Sequence, residues 1–264
     1  MSAQLSVHPN PAIRFEVIYE TDELAVISKP ADLITQPRDL TAQNTLLNGL
    51  FSRWGTKLQN LGKRRDFGLL HRLDRGTSGL LVIGLERHSY DDLRAQFEAR
   101  EVQKEYWAIV RGSLSPQRGR CDDWILEVKR SGSKRARVIK ARAPREQGAQ
   151  PALTLYKTLS QGASPVAGSV DASLIACRIE TGRLHQIRAH MSALGHPVMG
   201  DFEYGGANEL NRLARKISRG ALGLHAVRLS VREPSTGLHR SFVAPPPESF
   251  QRFARALELK VGRS

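Results

Sequence analysis

The sequence predicts an α+β protein, on three observations. Short runs of apolar and β-branched residues recur along the chain, each bounded by glycine, proline or charged residues, as strands are. Helical spacing of apolar residues is confined to segments beginning near Ser89, Thr181 and Phe250. With 264 residues, 40% of them hydrophobic, the chain can bury a substantial core in one large domain or two closely joined ones.

From Phe15 to Ser28, Phe-Glu-Val-Ile-Tyr-Glu and Leu-Ala-Val-Ile-Ser flank Thr21-Asp22-Glu23, which predicts two strands about a polar turn; Lys29-Pro30 stops the second. Leu80 to Ile83 reads as a buried strand. Ser89 opens a helix that places Tyr90, Leu93 and Phe97 on one face, and Ser89 with Asp92 resembles a capping box. Lys104 to Val110, rich in aromatic and branched residues, is a strand ended by Arg111-Gly112. Pro151 to Leu159 is another, followed by a Gly/Ser/Ala-rich loop from Gln161 to Ser173 and a strand from Leu174 to Ile179. Thr181-Gly182 opens a helix with Leu184, Ile187, Met191 and Leu194 on one face, stopped by Gly195 and Pro197. Late strands are predicted at Leu224 to Val231 and Arg240 to Val243. After Pro245-Pro246-Pro247, a closing amphipathic helix carries Phe250, Phe253 and Leu257.

Lysine and arginine number 40 against 26 acidic residues, a formal charge of +14, which points to a phosphate-rich partner. The excess is clustered. Lys129, Arg130, Lys134, Arg135, Arg137, Lys140, Arg142 and Arg145 form a run containing no acid; Lys63-Arg64-Arg65 is a second cluster, and Arg212, Arg215, Lys216 and Arg219 a third. No hydrophobic span or amphipathic membrane helix accompanies the charge, so no membrane partner is expected. Cys121 and Cys177 are the two cysteines, without zinc-like spacing, and the histidines follow no metal pattern; no metal is expected. The opening Met1 to Pro11 lacks the features of a signal or transit peptide, and the chain reads as cytoplasmic, with monomer as the default state.

The chemistry concentrates in His71-Arg72-Leu73-Asp74-Arg75-Gly76-Thr77-Ser78-Gly79-Leu80. Asp74 stands between two guanidinium groups, and Arg72 and Arg75 are expected to favour its ionised form. Gly76 and Gly79 allow special backbone geometry, and the Thr77 and Ser78 hydroxyls are expected to pin the turn. A held carboxylate of this kind serves as a nucleophile or a charge stabiliser.

This block resembles the signature His-Arg-Leu-Asp-x-x-Thr-Ser-Gly-Leu of the RluA-type RNA pseudouridine synthases, in which Asp74 matches the essential aspartate. Lys104-Glu105-Tyr106-Trp107-Ala108 is similar to the family's second motif, which implies that Tyr106 contacts the target base. Thr181-Gly182-Arg183-Leu184-His185-Gln186-Ile187-Arg188 resembles the third, commonly Thr-Gly-Arg-Thr-His-Gln-Ile-Arg, which makes Arg183 the expected ion-pair partner of Asp74; Leu184 departs from the small polar residue frequent there. Asp-Glu-Leu-Ala-Val-Ile-Ser-Lys-Pro, His196 to Asp201 and Leu224-His225-Ala226 extend the resemblance over Phe15 to Pro247.

The resemblance implies the synthase catalytic fold, a mixed, mostly antiparallel sheet with flanking helices and a central cleft. It divides the chain into an N-terminal extension (1–14), a catalytic domain (15–247) and a C-terminal helix and tail (248–264), with too few residues ahead of the domain for an S4-type RNA-binding module. The implied reaction breaks the N1 to sugar bond of a uridine in structured ribosomal or transfer RNA, turns the uracil and rejoins it through C5. Atoms are conserved, so no cofactor is expected. The target base must leave its stack, and Arg72 is placed to fill the gap. Lys63, Arg64, Arg65, Arg75, Lys134, Arg135, Arg137 and Arg188 complete the expected RNA contacts. The rivals are a non-catalytic RNA-binding or ribosome-assembly protein of the same fold, and a hydrolase that releases free uracil.

Overall fold

The α+β class is what the chain adopts. A computed structural model describes residues 5–37, 39, 41–130, 133–141, 146–164, 170–207, 209–218 and 220–262. In chain order the first elements are β1 (Glu16–Glu20), β2 (Leu24–Lys29), α1 (Leu46–Gln59), β3 (Ser78–Gly84), α2 (Arg87–Glu98) and β4 (Gln103–Arg111). Then follow β5 (Arg118–Cys121), β6 (Trp124–Arg130), β7 (Ser133–Ile139), β8 (Thr154–Ser164), β9 (Val170–Ile179), α3 (Gln186–Ala193), α4 (Glu209–Ser218), β10 (Leu224–Arg232), β11 (His239–Val243) and α5 (Glu248–Ala256).

The chain divides into two compact units, Met1–Gln103 with Ala226–Pro245, and Lys104–His225 with Pro246–Ser264. In the first, β1, β2, β3, β10 and β11 are neighbours in that order, with β1 to β2, β2 to β3 and β10 to β11 antiparallel. β3 is buried along its whole length, which explains its unbroken apolar run. Leu24, Val26, Leu80, Val82, Leu229 and Val231 pack on Leu93 of α2, and this core supports the Asp74 turn at the start of β3. The residues ahead of β1 are packed as well: Val7 is fully buried, and the Asn10 N–H donates to the Asn48 carbonyl of α1 at 2.9 Å.

The second unit holds the order β4, β9, β8, β5, with each adjacent pair antiparallel, and the separate hairpin β6 to β7. Ile125, Ala136, Ala152 and Ala189 form a small core in which the hairpin meets α3.

The strands at both ends of the chain, β4 and the closing helix lie where the sequence predicts them, and the boundaries of α2, β8, β9 and α3 move. The α2 N-cap is Glu86, with Ser89 as the third helical residue of the capping box, so the helix starts earlier than Ser89. β8 and β9 run on to Ser164 and from Val170, replacing both ends of the expected loop with a longer hairpin. α3 begins at Gln186, because His185 takes a left-handed conformation (φ 50°); Leu184 precedes the helix and is not on its face.

Gly79 is the glycine on which the geometry of the motif turns. Its φ is +114°, and a Cβ there would stand 2.3 Å from the Ala226 carbonyl oxygen and 2.6 Å from the Ala226 nitrogen. Gly76, by contrast, has no positive φ. Gly79→Ala combines backbone strain with a clash against main chain that has no flexible end to yield, and is expected to cost at least about 2 kcal/mol. Urea unfolding of the variant against the wild type measures it.

Candidate active site

Four anchors hold the main chain around Asp74. The Thr35 hydroxyl donates to the Leu73 carbonyl at 2.7 Å and accepts the Leu73 N–H at 3.3 Å. The Thr77 N–H closes a turn on the Asp74 carbonyl at 3.1 Å. His71, its ring 5.0 Å from that of Phe97, accepts the Val82 N–H of β3 on Nε2 at 3.2 Å. The fourth anchor is Lys29: its Nζ donates to the carbonyls of Pro30 (2.8 Å), Leu33 (2.8 Å) and Arg75 (3.3 Å). Leu73 is buried on one side of Asp74 while Arg72 and Arg75 are exposed, so the turn presents a half-buried carboxylate between two solvated guanidinium groups.

Two expectations for this turn change. Arg75 directs Nε to Asp32 Oδ1 at 2.8 Å, in an ion pair whose side chains are more than half exposed. The buried cation that senses the Asp74 charge is Lys29, and sequence reading passed over it as the residue that ends a strand. The Thr77 hydroxyl is buried with no hydrogen-bond partner among the described residues, so the turn is closed by backbone and not by that side chain.

In the second unit, Tyr106 lies on β4 opposite Cys177 of β9 and is 7% exposed. Arg183 is held by Gln186, whose Oε1 accepts the Arg183 N–H at 3.1 Å and the Thr181 hydroxyl at 2.7 Å. The Gln186 Nε2 donates to the Leu153 carbonyl at 2.9 Å and the Thr154 hydroxyl at 3.1 Å. The Arg183 Nε reaches the Pro151 carbonyl at 3.4 Å. Gln186 therefore ties the segment bearing Arg183 to the start of β8, using both ends of a buried carboxamide.

The Thr154 hydroxyl, accepting from Gln186, donates to His190 Nδ1 at 2.9 Å, and His190 Nε2 donates to the Asp123 carbonyl at 3.1 Å. Burial holds His190 below the ordinary imidazole pKa. The Asp123 carboxylate is pushed up by burial, but the Lys140 ammonium at 2.9 Å and the Ala141 N–H at 2.9 Å outweigh this and leave it lowered.

Arg188, expected to contact RNA, is instead a scaffold residue. Its side chain is 8% exposed and grips Asp201 through Nε (2.6 Å) and Nη2 (3.0 Å), with Nη2 also 2.8 Å from Glu203. A buried guanidinium committed to two carboxylates has no donor fork free for a phosphate. Arg188 and Arg135 both lie against the Tyr204 ring, at 4.9 and 4.7 Å from its centre. The Tyr204 hydroxyl accepts the Ala136 N–H of β7 at 2.8 Å, leaving its own proton for His185 Nδ1 at 3.0 Å. Burial lifts this phenol to about 12, so it stays protonated.

The basic run forms the hairpin, and its charge is partly answered. Lys134 pairs with Glu127 at 3.1 Å, Arg137 with Glu146, and Arg135 donates to the Glu203 carbonyl. Glu127 and Glu146 stand outside the run in sequence and carry no mark of these pairings there. Lys63, Arg64 and Arg65 sit on a 3₁₀ turn, Lys63–Gly68; their side chains, with those of Arg130 and Arg215 and the whole of residues 142–145 and Arg219, lie outside the described residues. Among the described residues no group of three or more His, Cys, Asp or Glu is placed to hold a metal ion, and no helix is long and apolar enough to cross a membrane.

Against known proteins, a family model for RNA pseudouridylate synthase matches residues 23–193. The chain is 34% identical over 258 residues to ribosomal large subunit pseudouridine synthase D of Zymomonas mobilis, covering 95% of this chain and 77% of that one. It is 33% identical over 253 residues to the protein of the same name from Vibrio parahaemolyticus, covering 93% and 71%. With RNA pseudouridine synthase 2, chloroplastic, of Oryza sativa, identity is 28% over 291 residues, and the chain spans 63% of that protein's length. Among solved structures, human RNA pseudouridylate synthase domain containing 1 superposes with a TM-score of 0.68 at 27% identity, covering 91% of this chain and 87% of that one.

The His190 chain carries a pH signature. An imidazole held below its unfolded value of 6.5 contributes stability that is complete above that pH and is lost as pH falls through 6.5 toward the folded pKa, because the unfolded state binds the proton first. Denaturant midpoints measured from pH 7.5 to 5 should fall, and His190→Gln, which keeps one donor and one acceptor, should flatten that part of the slope.

Proposed function

Because the chain belongs to the RNA pseudouridylate synthase family, and so isomerises uridine to pseudouridine in RNA, we propose that Asp74 is its nucleophile, with Tyr106 meeting the uracil and Arg183 orienting the carboxylate. The observation that carries this reading is the holding of the Asp74 turn: the main chain at Leu73, Asp74 and Arg75 is tied down, while Asp74 itself is half-buried. A reaction that breaks a glycosidic bond and rejoins the same two fragments gains most from a group fixed in one place, since position converts an encounter into an intramolecular step.

The uracil must leave its stack to be reached, at a cost of a few kcal/mol that pocket and backbone contacts offset. Arg72, exposed beside Asp74, is the planar side chain that takes the vacated place. Lys134, Arg135 and Arg137 on the hairpin, Arg75 beside the turn and the Lys63-Arg64-Arg65 cluster supply phosphate contacts. The substrate is a uridine of large-subunit ribosomal RNA, a choice supported by the names of the bacterial relatives, and the enzyme acts as a cytoplasmic monomer without a cofactor.

RNA carrying tritium at uridine C5 tests the reaction: isomerisation releases the label to water, hydrolysis yields labelled free uracil, and a binding protein yields neither. Asp74→Asn should reduce release to below about a thousandth of wild type while RNA affinity is retained; turnover surviving in this variant would remove Asp74 from the role. Reversing Lys134 and Arg137 to Glu should weaken RNA binding and make its salt dependence shallower by roughly one unit of slope per lost phosphate contact. An unchanged slope would place the hairpin off the RNA path.

A further inference from the structure

From β4 to β5 the sheet of the second unit places Tyr106, Cys177, Tyr156 and Gly119 opposite one another in one continuous rung, and Trp107, Ala176, Lys157 and Arg118 in the next. Successive residues of a strand point to opposite faces, so these two rungs lie on reverse sides of the sheet. Glu105, Arg178, Leu155 and Arg120 form a third rung, on the side of Lys157 and Arg118. That side, away from Tyr106, exposes Arg118, Arg120, Lys157 and Arg178, with Leu155 39% exposed among them. None of the four cations falls in the clustered basic runs, because they come together only when three strands pair.

Arg118 and Lys157 are directly opposed across β5 and β8, an arrangement of like charges that costs stability. Neither has an ion pair among the described residues, whereas Arg120 pairs with Asp122 at 2.5 Å and Arg178 with Glu105 at 3.3 Å. The register that forces the two together is pinned from the reverse side: Tyr156 lies over Gly119, where a Cβ would stand 2.5 Å from the phenol oxygen. Charges on an edge strand guard it against pairing with another chain, and β5 is an edge. That explanation covers only Arg118 and Arg120. Lys157 and Arg178 stand on β8 and β9, inside the sheet, so the row runs across the strands and not along the edge. Exposed Lys260 carries it further, its N–H donating at 3.0 Å to Ser160 Oγ on the same side of β8.

We propose that this face is a second RNA-binding surface, which takes the phosphates of a segment of the substrate RNA other than the one whose uridine is isomerised. A separate segment is required because the rung that carries Tyr106 and the cationic rungs are back to back, so a nucleotide at Tyr106 cannot also meet Arg118 and Lys157. Phosphate chemistry fits the row. Guanidinium groups hold a phosphate through a planar fork, and a phosphate bridging Arg118 and Lys157 relieves their repulsion. The two acids on this face belong to solvated pairs of modest strength, which a phosphate can displace. The surface is independent of which residues react; it requires only that the chain acts on RNA, and the choice of RNA for its test follows the reading given above.

The test is equilibrium binding, between about 0.05 and 0.3 M salt, of wild type and the double variant Arg118→Gln with Lys157→Gln to two RNAs: a large-subunit ribosomal RNA transcript, and a short hairpin cut from it around the modified uridine. Affinity of the double variant for the transcript should fall at least about fivefold at ~0.1 M salt, and the log-log salt slope should flatten by roughly two, one for each phosphate contact removed. Affinity for the hairpin should change by less than about twofold, and the melting temperature should hold or rise, since an opposed like-charge pair has gone. Arg118→Lys, which keeps the charge, should keep the wild-type slope. An unchanged slope on the transcript overturns the proposal and leaves an acidic protein segment as the ligand of this face. Equal losses on both RNAs overturn it too, because they put the contact on the segment that holds the target. Should the double variant fail to fold, Lys157→Gln decides, with a slope change half as large expected and no change overturning the proposal. A transcript from which wild type releases no tritium counts against the choice of RNA, while the slope difference between wild type and variant still reports on the surface.

Discussion

The Gln186 carboxamide is the constraint on which the second unit depends. A buried amide left half-bonded costs more than it returns, and Gln186 meets the requirement by accepting from Thr181 and the Arg183 main chain while donating to Leu153 and Thr154. One side chain thereby sets the path of the Arg183 segment, the start of β8 and, through Thr154, the tautomer of His190. The left-handed His185 just before it is the turn from which α3 begins at Gln186. In the first unit the equivalent task, holding a polar turn ahead of a buried strand, falls to several smaller bonds and one lysine.

Much of the fold was legible because its elements announce themselves locally. β1, β2, β3, β4, β10 and β11 are apolar runs bounded by turn residues, and α5 has its three apolar residues at helical spacing. What escaped is equally local in cause. α1 begins with Thr45 capped by Asn48 in place of the usual Glu or Gln, and it carries Gly49, where a Cβ would meet Ile13 at 2.8 Å; a residue selected for close approach of the N-terminal segment reads in sequence as a helix breaker. The β6 to β7 hairpin was hidden by its charge. Along β7 the exposed Lys134 and Arg137 lie on either side of Ala136, and the two buried residues, Ala136 and Ile139, are too few to stand out among cations.

The site was legible where its residues are contiguous and opaque where they meet only in space. Asp74, Arg72 and Arg75 fall within one block, and Gln186 stands inside a quoted motif. Thr35 and Tyr204 lie outside every quoted segment, and they, like Lys29 within Asp-Glu-Leu-Ala-Val-Ile-Ser-Lys-Pro, enter through hydrogen bonds to main chain, for which side-chain patterns carry no signal. The misreading of Arg188 has the same source: its two carboxylates come from Asp201 and Glu203, beyond the end of α3. A cation near a motif was read as facing substrate when its counter-ions were simply further along the chain.

The acids that neutralise the hairpin alter what its positive charge means. Glu127 and Glu146 already occupy Lys134 and Arg137 in the free protein, through surface pairs of modest strength. An incoming anion must evict a resident carboxylate, so it gains only the difference between the two pairings. Isolated monovalent anions gain almost nothing from that exchange. A polyanion that replaces both occupants at once, and liberates its own condensed counter-ions in doing so, is favoured over every weaker competitor.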